Sequence, residues 1–223
     1  MDYIVCGWYT PDYKHWFDKL ELSLIEHNAP YDFLAVPKIE GGWERNTCRK
    51  AGFALQFMDR HPGKTIILLD VDCVVTGNLS KLTDLPCDIA LDFHIQRKRR
   101  RINLVPATGH VILQPTRKTR ELMEAWARIS AKDEFGLNDQ ETLTFALGDV
   151  HDLQLLRLDK TARGTVLHSS AALTSGIRKV NGRDRFWNKV KETLYPLYSA
   201  WNHRRWLEED SMEQSLRAER NQR

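Results

Sequence analysis

Short unbroken apolar runs alternate along the chain with stretches whose apolar residues recur every three or four positions. The first run is Tyr3–Trp8 (YIVCGW), after which Tyr9, Thr10 and Pro11 open a loop. Tyr13–Asn28 then carries Trp16, Phe17, Leu20, Leu24 and Ile25 at helical spacing. Ala29-Pro30 ends that helix, and Tyr31–Val36 (YDFLAV) is a second run. Strand, helix and strand in this order predict a βαβ unit and a parallel sheet. The chain is organised around Lys64–Leu79 (KTIILLDVDCVVTGNL), in which Ile66, Ile67, Leu68 and Leu69 lead into Asp70-Val71-Asp72, with Cys73, Val74 and Val75 beyond. Bounded by His61-Pro62-Gly63 and Thr76-Gly77-Asn78, this run predicts a strand buried on both faces.

The remaining elements follow the same two periods. A helix capped by Asn46 or Thr47 and running to Arg60, with Phe53, Leu55, Phe57 and Met58 on its apolar face, feeds the central strand. Cys87–Leu91 is a short strand, Ile102–Val105 an apolar stretch broken at Pro106, and Thr108–Gln114 a strand starting from a glycine turn. Thr116–Ala131 is a helix with Thr116 as cap and Leu122, Met123, Trp126 and Ile129 inside. Asn138 caps the next helix, Leu153–Leu158 is a late strand, and Val166–His168 closes another short run. After Lys179 aromatic residues punctuate a cationic segment. The chain therefore divides into a catalytic-type α/β domain over 1–179 and a basic, aromatic helical extension over 180–223. The extension reads as a docking helix, because its aromatics would otherwise lie exposed.

Composition changes this picture little. At 223 residues, 42% of them hydrophobic, the chain can build one sizeable core, and disorder is not the default. The net charge is only +3, but Arg97-Lys98-Arg99-Arg100-Arg101 forms a solid basic run, read as a solvated loop, an acceptor-binding loop or a patch for phosphate-rich partners. Cys6, Cys48, Cys73 and Cys87 lack zinc or disulfide spacing and are expected as reduced thiols in a cytoplasmic protein. The N-terminus has no signal-peptide pattern and no run approaches the ~20 residues of a membrane span, leaving peripheral membrane contact open.

Candidate chemistry gathers at one rim. Ligands of parallel sheets sit beyond the carboxyl ends of the strands, which puts Tyr9, Thr10 and Asp70–Asp72 together. On a strand, the i, i+2 spacing turns Asp70 and Asp72 to one face, and paired carboxylates suit Mg²⁺ or Mn²⁺ with a diphosphate. Asn46, Arg49 and Lys50 occupy early helical turns, where N–H groups and cations can meet phosphate. Asp139 and Glu141 are explained by the helix dipole alone. His168 is a candidate ligand only if it converges on Asp70 and Asp72.

Several pieces together resemble the nucleotide-sugar glycosyltransferases of the GT-A fold. IILLDVDCVV followed by GNL resembles their D-x-D segment, and GGWERNTCRKAGF the W-x-x-N-x-x-x-K helix before it. TGHVILQPTRKTRELMEAW resembles the strand and helix that begin with Asn-(Ser/Thr)-Gly, and LNDQETL the Asp-Gln helix start. The likeness covers roughly residues 2–179. It implies a mixed, mostly parallel central sheet flanked by helices and transfer of a sugar from a nucleotide-diphospho-sugar, a UDP-sugar, to an acceptor hydroxyl with retention. It also implies Mn²⁺ or Mg²⁺ held by Asp70, Asp72 and His168. Tyr9, Thr10, Asn46, Lys50, Asp70, Val71, Asp72 and Gly109 would contact the donor, with Asp139 and Gln140 as catalytic residues beside the anomeric carbon. Ala107 stands where the family has Asn. His168 is followed by SSAALTSGIRK, so Gly176 and Lys179 lie beyond the family's His-x-x-Gly-x-x-Lys spacing. Two other classes compete: a metal-dependent phospho- or nucleotidyltransferase, which the missing G-x-x-x-x-G-K-[ST] loop disfavours, and a polyanion-binding protein. A transferase gripping an anionic acceptor through Arg97–Arg101 would combine two of these readings.

Overall fold

The computed structural model describes residues 2–40, 42–98, 101–132, 136–158 and 166–168. Among the described residues eight strands carry the fold: β1 (Tyr3–Tyr9), β2 (Tyr31–Ala35), β3 (Thr65–Leu69), β4 (Cys73–Val75), β5 (Ile89–Lys98), β6 (Arg101–Leu113), β7 (Leu155–Arg157) and β8 (Val166–His168). Five α-helices among the same residues accompany them: α1 (Lys14–Glu26), α2 (Gly42–Thr47), α3 (Lys50–Arg60), α4 (Arg117–Ala131) and α5 (Asp139–Asp149). Six strands form one sheet in the order β2-β1-β3-β6-β5-β7, while β4 and β8 pair separately. β1 is parallel to β2 and β3, β5 is parallel to β7, and β6 runs antiparallel to both β3 and β5. The mixed, mostly parallel α/β sheet is the architecture the sequence predicts.

The alternation of side chains along each strand divides the core into two layers. On one face Ile66, Leu68, Leu91, Val111 and Leu113 pack against Ala51, Ala54 and Phe57 of α3, Leu122, Met123 and Trp126 of α4, and Leu143 and Ala146 of α5. On the other, Val5, Ile67, Leu69, Ala90 and Ile112 meet Leu20 and Leu24 of α1 with Cys73, Val75 and Val166 of the small sheet. α1, α3, α4 and α5 each bury a stripe at i, i+3, i+4 spacing, which is where most of their stability arises. α4 begins as expected, with the Thr116 hydroxyl accepting from the Thr119 N–H. Asn138 and Glu141 close a capping box on α5.

Four expectations change. The central run is two strands, because the backbone turns at Asp70–Asp72, where the Cys73 N–H donates to the Asp70 carbonyl at 3.0 Å. Cys73–Val75 then leaves the main sheet and pairs with Val166–His168. The helix expected from Asn46 or Thr47 is α2 and α3 with a break between them; α2 starts at Gly42, and Arg49 precedes α3 without a side-chain cap. The described part of the basic run is strand: β5 continues to Lys98, and β6 starts at Arg101 directly opposite it, while residues 99 and 100 lie outside the described residues. Pro106 does not interrupt β6 but faces Phe93 in register. It is tolerated because β3 pairs with β6 only from His110 to Leu113, so among the described residues no second strand needs an N–H from position 106. The extension over 180–223 lies outside the described residues. No helix among them is long and apolar enough to cross a membrane.

Candidate active site

The rim beyond the ends of β1 and β3 collects polar groups from five places in the chain. α3 and α5 both present their first turns there, since a helix packed on the sheet and followed by a strand runs back from this rim. The loop after β1 supplies Thr10 and the turn after β3 supplies Asp70 and Asp72. β6 contributes through an irregularity. Val111 is in register with Leu91, but the next pair is Ala107 with Asp92, so Thr108, Gly109 and His110 bulge without counterparts on β5. Bulges re-aim side chains next to functional sites, and this one turns Thr108 toward both helices.

Lys50 is the hub. Its ammonium lies 2.6 Å from Asp139 Oδ2 and 2.8 Å from Asp70 Oδ1, and it donates to the Thr108 carbonyl at 3.2 Å. The Lys50 and Asp139 side chains are each only 4% exposed, against 34% for Asp70. Burial alone would lower the pKa of this ammonium. The charges of Asp139 and Asp70 outweigh it and hold Lys50 above the ordinary lysine value. The Thr108 hydroxyl donates to the same Asp139 Oδ2 at 2.7 Å. Both hydrogen bonds therefore fall on one oxygen, and Oδ1 has no partner among the described residues. Buried charges persist only when paired and hydrogen-bonded, and this cluster satisfies that rule.

The Asp70 turn is anchored to the bulge. The Asp70 N–H donates to the Gly109 carbonyl at 3.0 Å, and the Cys73 thiol donates to the same oxygen at 3.3 Å. Burial, reinforced by Asp70 and Asp72, pushes the Cys73 thiol well above its usual range, so it is a protonated donor and no nucleophile. Gly109 thus acts through its backbone. Val71 is buried beneath the turn and Asp72 is half-buried at its end. The spacing argument for the two aspartates assumed a strand; they occupy a turn, so it does not set their directions. Gln140 follows Asp139 on α5, its N–H held by the Asn138 side chain at 2.9 Å.

Other expected residues frame the rim. Asn46 holds the main chain of Ile39 from both sides, accepting from its N–H at 3.1 Å and donating to its carbonyl at 2.8 Å. Arg49 bonds the Pro37 carbonyl at 2.8 Å and lies over the rings of Trp8 and Phe53. Together they fix the loop after β2. Tyr9 stacks on Phe17 with ring centroids 4.6 Å apart, and the Thr10 hydroxyl donates to Asp12 at 2.5 Å. β8 pairs His168 with Cys73, so the backbone at His168 runs beside the Asp70–Asp72 turn. No group of three or more His, Cys, Asp or Glu side chains among the described residues is arranged to hold a metal.

Two residues emerge that were absent from the expected site. Thr108 completes the Lys50–Asp139 cluster, and its one sequence signal is its place before Gly109 in the segment TGHVIL. His110 is the other: its Nε2 is buried with no partner among the described residues. Burial lowers this imidazole to about 4, only partly opposed by Asp92, so it is neutral near pH 7.

Comparison with known proteins places this geometry in a family. The nucleotide-diphospho-sugar transferase family matches residues 31–196, and the chain belongs to it. It is a glycosyltransferase. A glycosyltransferase involved in the glycosylation of the major capsid of PBCV-1 superposes with a TM-score of 0.55 at 13% identity, covering 71% of this chain and 82% of its own. The apo-form glycosyltransferase GlyE of Streptococcus pneumoniae TIGR4 gives 0.49 at 16%, covering 73% and 46%. The galactosyltransferase LgtC, in complex with donor and acceptor sugar analogs, gives 0.43 at 10%, covering 70% and 73%. The first of these supports a shared GT-A fold. No curated protein matches the chain.

Proposed function

We propose that this transferase takes a UDP-sugar, uses Mn²⁺ or Mg²⁺, and passes the sugar to an acceptor hydroxyl with retention at the anomeric carbon. The observation that carries the reading is Lys50, buried between Asp70 and Asp139. Asp70, Asp72 and Asp139 bring carboxylates from the turn after β3 and from α5 to this rim, an oxygen-rich setting that suits a divalent cation. The donor set fits a hard metal: carboxylate oxygens of Asp70 and Asp72, with the His168 backbone alongside them. When bound, the metal would neutralise the leaving diphosphate as a Lewis acid.

The chain's own residues supply the rest. In the reaction the bond from the anomeric carbon to the β-phosphate oxygen breaks as the acceptor oxygen bonds that carbon. On the retaining path the leaving phosphate oxygen takes up the acceptor proton. Positive charge grows on the sugar between the two events. Asp139 Oδ1 is the oxygen available to stabilise it, because Lys50 and Thr108 both engage Oδ2 and hold the carboxylate still. Gln140, next on the helix, would contact the transferred sugar. Lys50, charged throughout the neutral range, offsets the diphosphate charge from below. Tyr9 and Thr10 would bound the base, Gly109 and Val71 would face the donor through the backbone, and Asn46 would act by holding the Ile39 loop.

The test is proton NMR of a UDP-sugar panel incubated with the protein and Mn²⁺. The reading expects slow release of UDP from one α-linked donor, the α-anomer of the free sugar appearing first, and loss of turnover in Asp139→Asn. First appearance of the β-anomer would overturn retention, and unchanged turnover in the variant would overturn the role of Asp139.

A further inference from the structure

His110 takes no part in the reaction proposed above. It is the last residue of the β6 bulge and follows Gly109, whose carbonyl accepts the Asp70 N–H. In the ladder with β3 it stands opposite Leu69, one residue before Asp70. Directly opposed residues share a face, so His110 lies on the side of the sheet where Leu69 and Ile112 meet the small β4–β8 sheet. Thr108, turned out of the alternation by the bulge, works on the other side with Lys50 and Asp139. The end of β6 therefore offers a polar group to each side of the rim.

The His110 Nε2 is buried and has no hydrogen-bond partner among the described residues. Native proteins rarely leave a buried polar atom unpaired, because its lost hydration is then not replaced. The surroundings restrict what the missing partner can be. Burial keeps the imidazole neutral near pH 7, so Nε2 donates in one tautomer and accepts in the other. The charged group acting on the ring is Asp92, an anion. Its neighbours Leu91 and Phe93 pack on the layer formed with α3, α4 and α5, which puts Asp92 on the same side of the sheet as His110. Asp92 in turn accepts from Arg157 at 3.4 Å. A neutral ring beside a carboxylate gives a phosphate nothing to bind, and an apolar group would leave Nε2 unpaired. A hydroxyl both donates and accepts, and so satisfies either tautomer.

We infer that His110 Nε2 binds a hydroxyl on the donor's sugar ring, away from the anomeric carbon, and so sets which sugar nucleotide this chain accepts. The inference deepens the transferase reading and rests on it. Asp139 Oδ1 would address the anomeric carbon from the α5 side. A ring lying across the end of β6 then presents its remaining hydroxyls to the far side, where His110 stands. His110 touches no reacting atom in this account; it determines specificity. A site built to hydrogen-bond a hydroxyl rejects the analogue that lacks it, because the buried partner is left unpaired.

The experiment uses the full chain with Mn²⁺ and measures, by calorimetric titration, the affinities of UDP, UDP-glucose, UDP-galactose and UDP-N-acetylglucosamine. Wild type, His110→Leu and His110→Gln are compared. One sugar nucleotide should bind wild type more tightly than UDP does. His110→Leu should bind that sugar nucleotide roughly tenfold more weakly, with its UDP affinity within about twofold of wild type. His110→Gln, whose amide can also donate or accept, should restore most of the loss. Deoxy forms of the preferred sugar nucleotide, with one ring hydroxyl removed at a time, locate the contact: wild type and His110→Leu should bind one of them equally and the others as unequally as the parent. Equal weakening of UDP and sugar nucleotide in His110→Leu marks a structural role and overturns the inference. So does a sugar preference indifferent to His110, or the absence of any preference over UDP in a wild type that binds UDP. A wild type that binds neither UDP nor any sugar nucleotide overturns the transferase reading, and this inference with it.

Discussion

Replacing Lys50 with methionine keeps most of the side chain's length and removes its charge. Asp139, on a carboxylate only 4% exposed, would lose its cation, and Asp70 would lose a partner at 2.8 Å. Removing one member of a buried pair costs about 3–5 kcal/mol, because the partner is left charged and unsolvated. For a domain of this size each kcal/mol lowers the melting temperature by roughly 2–4 °C, so Lys50→Met should melt roughly 6–20 °C below wild type. The coupling can be isolated with Asp139→Leu and the double variant. The double should be less destabilised than the sum of the singles by about 2 kcal/mol or more, since no charge is then stranded. The pH dependence has a definite sign. The raised pKa of Lys50 means that its stabilisation is whole below about pH 10 and fades only as pH climbs through the folded value. In Lys50→Met the stranded carboxylate is relieved by taking up a proton, so the gap from wild type should be wider at pH 8 than at pH 5. Differential scanning calorimetry at both values is the assay. A variant that melts within about 2 °C of wild type, with a gap indifferent to pH, would refute the claim that this ion pair is dry.

Other expectations follow from single contacts. Gly7→Ala should destabilise by about 3 kcal/mol by chemical denaturation, because its Cβ would lie 2.3 Å from the Phe33 ring and 2.5 Å from the Leu69 carbonyl. Asn138→Ala removes one half of the capping box and should cost about 1 kcal/mol, read as a lower midpoint at unchanged m-value. His110 sits at about 4 against an ordinary histidine value of 6.5, so the unfolded chain binds more protons between those values. Stability should therefore be lost as pH falls from 7 to 4, by roughly 3 kcal/mol from this group, and His110→Leu should flatten that part of the profile.

Much of this architecture was legible because its signals are local. Thr116 and Asn138 announce their helices by cap chemistry, and the βαβ opening follows from two apolar runs around a helical stretch. The central turn was hidden because Cys73–Val75 is as apolar as Ile66–Leu69, and a continuous run conceals a chain reversal. The β5–β6 pairing was hidden for the opposite reason. Five basic residues look like a solvated loop, while pairing register is set by partners across the hairpin and not by hydropathy. Within the site, Asp70, Lys50 and Asp139 could each be nominated from sequence, yet Asp139 was fully explained there as a helix-dipole residue. That Lys50 and Asp139, 89 positions apart, meet in one dry cluster with Thr108 depends on the bulge in β6. No local pattern encodes that convergence.

The central claim is that the Asp70–Asp72 turn holds a metal for a nucleotide donor above the Lys50–Asp139 pair. Calorimetric titration of UDP into wild type and Asp72→Ala, each with and without Mn²⁺, tests it most directly. The account predicts binding to wild type that requires Mn²⁺ and is lost in the variant, while both proteins melt alike without metal. UDP binding that is indifferent to Mn²⁺ and unchanged in Asp72→Ala would contradict it.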